Sequence, residues 1–175
     1  MPRARKDLAA SLVAAKVLVV DDDHYMRKVV RTLLTSIGVN KITEAPDGPS
    51  GLEKIRSWSP DVIILDWEMP GLDGPAFVRM VRSPTTFPYP DVPIIMLTGH
   101  GERSRVIEAV KIGVNEFLLK PVSSKALQDR LISVLAKPRQ VMQDGNYYGP
   151  APRKRKMAAT VNDDNDRAIA NLFLV

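Results

Sequence analysis

The sequence predicts a doubly wound α/β domain built on a five-stranded parallel sheet, with an extension at each end. Two patterns carry this expectation. Short aliphatic runs, Val17-Leu18-Val19-Val20, Val62 to Leu65 and Ile94 to Leu97, recur along the chain and are too short to be helices. Between such runs lie segments whose apolar residues repeat at steps of three, four and seven, as one face of a helix does. Strands alternating with helices imply parallel strands with helices packed on both faces.

The elements follow in order. After the strand at 17–20, Asp23 is placed to cap a helix whose inward stripe is Met26, Val29, Val30, Leu33, Leu34 and Ile37, with Gly38 at the C′ position. Lys41 to Ala45 reads as a short edge strand. Asp47-Gly48-Pro49 opens a second helix that turns Leu52 and Ile55 inward, with proline at an early position. Val62 to Leu65 is the third strand and Pro75 to Val81 the third helix. The stretch Ser83 to Pro93 contains four prolines and is expected to be an irregular loop. Ile94 to Leu97 is the fourth strand, Ser104 to Ile112 the fourth helix and Glu116 to Leu119 the fifth strand. Ser123 caps a last helix that carries Leu127, Leu131, Val134 and Leu135 inward and ends before Pro138.

Composition limits what such a domain can do. The chain has 175 residues, 45% hydrophobic and 26% charged, and no cysteine, which excludes disulfides and thiolate metal sites and points to a reducing cytoplasm. No apolar run approaches the roughly 20 residues a membrane helix needs. The start, MPRARKDLAASLVAA, has basic residues before small apolar ones, but Asp7 and Lys16 interrupt the pattern, and a secretory signal is not expected. Charge is unevenly placed. Residues 1–16 hold four basic residues and one acid, residues 17–137 hold equal numbers of each sign, and residues 138–175 hold six basic and four acidic. The sequence pI near 9.6 therefore belongs to the extensions and predicts no nucleic-acid face on the central domain.

The polar residues gather where the strands end. Asp21 and Asp22 follow the first strand, Asp66 ends the third, Thr98 the fourth and Lys120 the fifth. In a parallel sheet these carboxyl ends share one edge, where ligands bind at the switch in strand order. Three acids, a hydroxyl and a lysine would thus meet in one cleft, a hard-oxygen site suited to Mg²⁺ and to phosphate chemistry. Any one of these residues alone would be an ordinary turn former, cap or surface lysine. It is their common register on the strands that points to a site.

The motifs VLVVDDD (17–23), IILDWEMPGLDG (63–74), MLTGHG (96–101) and FLLKP (117–121) resemble the receiver domain of two-component response regulators, and most closely the stand-alone, chemotaxis-type receivers. The resemblance implies a flavodoxin-like (βα)5 receiver fold over residues 16–137, between an N-terminal extension (1–15) and a C-terminal arm (138–175) with no output domain. It implies that Asp66 is the phosphoacceptor. Asp22 and Asp66 would hold Mg²⁺ directly, Asp21 through water and Glu68 through its backbone carbonyl. Lys120 and Thr98 would bind phosphoryl oxygens. Thr98 and Phe117 would form the switch, the ring turning inward on phosphorylation. Glu68 and His100 would tune the loss of the phosphoryl group, and the Lys120–Pro121 peptide would be cis. The implied partners are a sensor histidine kinase or phosphotransfer protein and a downstream protein target, with no membrane and no nucleic acid. Such a protein catalyses only its own aspartyl phosphorylation and dephosphorylation.

Two rival readings are weaker. A haloacid dehalogenase-like phosphohydrolase also uses a strand-end aspartate with Mg²⁺, but its nucleophile comes first in the chain with a second acid at i+2, whereas here the acid pair precedes Asp66. A DNA-associated regulator would have to use the basic run Pro152 to Lys156. The 38 residues after Lys137 fall below the roughly 40 a metal-free, disulfide-free module needs.

The C-terminal arm carries a separate expectation. A polar stretch, Gln143 to Pro150, and the basic run lead through Asp163, Asp164 and Asp166 to the apolar end Ala168 to Val175. Such an end packs on something, and the spacer gives it reach, so the sequence predicts docking on a neighbouring copy and a two-fold homodimer, with docking back on its own receiver as the alternative. Light scattering at micromolar concentration is then expected to show a dimer for the full chain and a monomer for a chain ending at Lys137. Two monomers would reject the dimer.

Overall fold

The computed structural model describes residues 9–152. A lead-in helix over residues 9–14 precedes β1 (Lys16–Val20), α1 (His24–Ser36), β2 (Lys41–Ala45), α2 (Gly48–Trp58), β3 (Val62–Asp66), α3 (Gly74–Val81), β4 (Ile94–Thr98), α4 (Arg103–Lys111), β5 (Glu116–Leu119) and α5 (Ser124–Ala136). Two further strands follow, β6 (Val141–Asp144) and β7 (Tyr147–Pro150). The first five strands form one parallel sheet in the order β2-β1-β3-β4-β5. The chain thus builds outward from β1 in one direction and from β3 in the other. The switch point falls between the ends of β1 and β3.

Alternation along each strand divides the core into two layers. Leu18, Val20, Ile63, Leu65, Ile94, Met96 and Phe117 face one side, where Leu52, Ile55, Phe77, Val78, Val106 and Ala109 of α2, α3 and α4 cover them. Val17, Val19, Val62, Ile64, Ile95, Leu97 and Leu118 face the other, against Val30 and Leu34 of α1 and Leu127, Leu131 and Val134 of α5. Both faces are buried, which is why the strands read as unbroken apolar runs. The helices start where their caps dictate. The side chains of Asp23, Asp47, Asp73 and Ser123 accept backbone N–H bonds from Tyr25, Ser50, Ala76 and Ala126.

The described parts of the two extensions, residues 9–15 and 138–152, pack on the domain. Leu12 and Ala15, from the lead-in helix and its exit, are buried in the same layer as α1 and α5. The polar stretch read as part of a spacer is an antiparallel hairpin, with Val141 opposite Pro150 and Asp144 opposite Tyr147. The hairpin lies against the domain's own loop at the end of α4. A Cβ on Gly149 would stand 2.7 Å from the Gly113 Cα, so the two backbones touch only because both residues are glycine. Arg139 donates to the Asn115 carbonyl, and the Tyr148 hydroxyl donates to the Asp91 carboxylate. The apolar end 168–175, on which the expected dimer rests, lies outside the described residues.

The proline-rich stretch forms neither helix nor strand, as its composition predicts, yet it is held firmly. The holder is Arg82, which is 5% exposed. Its guanidinium donates to the carbonyls of Gly113 (2.9 Å) and Val92 (2.8 Å) and to Asn115 Oδ1 (2.8 Å). Burial lowers its pKa to about 10, so it stays charged at neutral pH. Replacing it strands several buried acceptors, each worth about 1–3 kcal/mol when left unpaired. Arg82→Met is expected to destabilise the protein by about 3 kcal/mol and to raise amide exchange in residues 141–150 and 113–116 together. Urea denaturation with hydrogen exchange checks this; unchanged exchange in the hairpin would reject the coupling.

Candidate functional site

The site is built where β1, β3, β4 and β5 end. Asp21 and Asp22 leave β1, and Asp66 is the last residue of β3, the strand beside it. One carboxylate oxygen from each lies within 4.8 Å of the others. Asp21 and Asp66 are buried and Asp22 is exposed, so the cluster opens to solvent on the Asp22 side. Asp21 is fixed further by accepting the Asp23 N–H at 2.9 Å.

Lys120, one residue past β5, places its Nζ 2.8 Å from Asp66 Oδ1 and 3.1 Å from Asp21 Oδ2. Its backbone N–H donates to the Thr98 carbonyl at 2.8 Å, and the peptide to Pro121 is cis, as the motif implied. Thr98 closes the floor at the end of β4. It is almost fully buried, and its Oγ1 accepts the His100 N–H at 3.1 Å, which leaves the hydroxyl proton free to donate.

The loop after Asp66 is shaped by one close approach. The Gly74 N–H donates to the Trp67 carbonyl at 2.9 Å, and a Cβ on Gly74 would stand 2.4 Å from the Asp66 carbonyl oxygen. Only glycine lets α3 begin this near the acid. Trp67 packs its ring edge-on to Phe117, the centroids 6.2 Å apart.

The remaining predicted residues take up positions around this pocket. Glu68 stands outside the cluster of three acids and pairs with Arg105 Nη2 at 2.8 Å and with His100 Nδ1 at 3.4 Å. Phe117 is 1% exposed, so the ring expected to turn inward on phosphorylation is already buried against Trp67. Sequence reasoning missed Arg105, which also lays its guanidinium 5.3 Å from the centre of the Trp67 ring. Nothing in the chain marks it, because Glu68 and Arg105 stand 37 positions apart and meet only through the fold.

The electrostatics follow from burial. Desolvation raises the Asp66 pKa above the usual carboxylate range, the bond from Lys120 opposes this, and the charge of Asp21 adds to it. Burial by itself lowers the Lys120 pKa, but the bond to Asp66 and the charges of both acids outweigh it and raise the amine above its ordinary value. Three carboxylates around one small space, without sulfur or imidazole among them, suit a hard divalent ion such as Mg²⁺.

An acid whose pKa is raised on folding lowers stability wherever it is ionised, between its unfolded value of 3.8 and higher pH. Asp66→Asn is therefore expected to be more stable than the wild type near neutral pH. That advantage shrinks as pH falls through the raised pKa and vanishes below 3.8. Urea midpoints across a pH series check this; a variant less stable than the wild type at pH 7 would reject it.

Comparison with known proteins agrees with this geometry. The family model of the response regulator receiver domain matches residues 17–132. The chemotaxis protein CheY of Pseudomonas aeruginosa is 34% identical over 116 residues, which covers 66% of this chain and 92% of that protein. Chemotaxis protein CheY1 of Helicobacter pylori is 38% identical over 121 residues, 69% of this chain and 96% of that one. Among solved structures, chemotaxis protein CheY4 of Vibrio cholerae superposes with a TM-score of 0.63 at 36% identity, covering 69% of this chain and 98% of that one. A putative response regulator from Chloroflexus aurantiacus gives 0.64 at 32% identity, with 70% and 98% covered. The hairpin at 141–150 lies beyond the family match.

Proposed function

The chain belongs to the response regulator receiver family, and from that premise we propose that it accepts a phosphoryl group on Asp66 from a histidine kinase or phosphotransfer protein and relays it through protein contacts. The observation that carries this reading is Lys120 Nζ, bound to the phosphoacceptor candidate Asp66 and to Asp21 at the buried end of β3. A rigid strand end holds the carboxylate, so its oxygen can approach phosphorus in line. An oxygen–phosphorus bond forms as the phosphorus–nitrogen bond of the donor's phosphohistidine breaks, and the imidazole leaves with a proton from solvent. Hydrolysis later returns Asp66 as water attacks the same phosphorus.

Mg²⁺ held by Asp22 and Asp66, through water by Asp21, and by the Glu68 carbonyl would neutralise the charge of the phosphoryl oxygens. Lys120 moves from the carboxylate to a phosphoryl oxygen, and the free hydroxyl proton of Thr98 donates to another. These contacts exist only in the phosphorylated state, so they shift the balance between two conformations. Thr98 and Phe117 form the switch, the ring repacking against Trp67 as Thr98 moves toward the phosphoryl group. Glu68 and His100, paired at the rim, set how water reaches the acyl phosphate.

The two acids that follow β1 and the nucleophile that ends β3 argue against the phosphohydrolase alternative, in which the second acid lies two residues after the nucleophile. Here that residue is Glu68, which turns to Arg105. No helix among the described residues is long and apolar enough to cross a membrane, and we place the protein in the cytoplasm with its donors. The chemotaxis names of its relatives suggest a stand-alone receiver acting on a protein target. The apolar arm end would make it a homodimer.

Acetyl phosphate or a phosphorylated histidine donor with Mg²⁺ is expected to add one alkali-labile phosphoryl group to the wild type and none to Asp66→Asn. Intact mass and peptide mapping read this. Equal incorporation in both proteins would overturn the assignment of Asp66.

A further inference from the structure

Glu68, two residues after Asp66 on the loop that leaves β3, carries a fourth carboxylate, outside the cluster of three acids but near enough for the Lys120 charge to act on it. Its side chain is 59% exposed and pairs with Arg105 Nη2 at 2.8 Å. Left alone, this charge would repel an anionic molecule approaching the acids. Arg105 meets it instead. The arginine comes from the first turn of α4, is 23% exposed, and is held in place by the face of Trp67, the residue between Asp66 and Glu68. One Arg105 nitrogen, Nη1, is buried without a hydrogen-bond partner, as a guanidinium held by ring stacking rather than by a set of acceptors would be.

Resting on the reading of Asp66 as phosphoacceptor, we propose that Arg105 is a positioning residue that pins and neutralises Glu68 at the site mouth, so that dianionic phosphodonors can approach Asp66. The ion pair adds no net charge to the pocket. Breaking it from the arginine side adds one negative charge; breaking it from the glutamate side adds one positive charge. In water, a unit charge at a separation on the order of 9 Å from a dianion changes the dianion's local concentration roughly fivefold, which sets the scale of the expected effect. The same added negative charge attracts a divalent cation, so donor and metal must respond in opposite directions. A merely structural loss at Arg105 would weaken both.

The test uses the full chain, acetyl phosphate as donor and saturating Mg²⁺, with the rate of Asp66 phosphorylation read by intact mass at low ionic strength. Incorporation in the wild type and its loss in Asp66→Asn first establish the acceptor, independently of Arg105. The expected order is then a ladder. Arg105→Gln is about fivefold slower than the wild type, the Arg105→Gln/Glu68→Gln pair returns to within about twofold of it, and Glu68→Gln alone is faster. Arg105→Lys, which keeps the charge, stays near the wild type. At about 1 M salt, where screening acts over roughly 3 Å, the ladder collapses. Calorimetry is expected to show Mg²⁺ binding to Arg105→Gln at least as tightly as to the wild type. An Arg105→Gln rate equal to the wild type at low salt would overturn the proposal. So would a slow rate that the second substitution or salt does not restore, or a weakened Mg²⁺ affinity.

Discussion

Asp21 and Asp66 are both buried at neighbouring strand ends, where two ionised carboxylates repel each other and lose their hydration, and the Lys120 ammonium between them makes the arrangement tolerable. That one cation constrains much of the molecule. The acids come from β1 and β3, but the lysine follows β5, and β4 lies between β3 and β5. Its stem must therefore pass over the end of β4. Thr98 ends that strand and Gly99 follows, a short side chain and none at all. The Lys120 backbone bond to the Thr98 carbonyl sets the height from which the stem reaches across. The strand order, the small residues after β4 and the long amine after β5 are thus parts of one electrostatic solution.

The residues that make this solution were readable because each is tied to a strand end. A buried parallel strand is an apolar run, its end is visible as the first polar residue, and the topology brings those ends to one edge. The caps were readable for a similar reason, since Asp23 and Ser123 act on N–H groups only two or three residues away. Where the determining partner is remote, no local pattern marks the residue. Arg82 reads as a surface residue at the end of a helix until Gly113 and Asn115, more than thirty positions on, close around it. Glu68 and Arg105 are the same case at the site.

The hairpin was legible in part. Its loop is Gly145-Asn146, a two-residue connection with glycine at a positive φ of 55°, which is a recognised hairpin signal. The flanking residues lack the alternation that usually accompanies it, because an isolated two-stranded ribbon is marginal and this one depends on what it touches. Its support comes from Arg139, Tyr148 and the Gly113–Gly149 approach, all of them contacts with the domain. The lead-in helix is similar: Leu12 is one buried residue in a segment too short to be helical by its own propensity.

These supports fall unevenly along α4 and β5. Asn115, at the entry to β5, receives Arg82 and the Ile94 N–H on its side chain and Arg139 on its carbonyl. Gly113, at the exit from α4, is wedged against the hairpin. The far ends are held differently. Glu102, at the N-cap of α4, makes no side-chain capping bond, and Leu119 at the end of β5 is exposed. The start of α4 is tied to the loop after Asp66 by Arg105, through its half-exposed pair with Glu68, of a class worth about 0–1 kcal/mol, and its stacking on Trp67, while Val106 anchors the same turn in the core. The buried ties at the other end are each stronger than that pair. The hydrogen bonds among the described residues thus concentrate at the hairpin end of α4 and the entry to β5, while the start of α4 is held by apolar packing and one arginine.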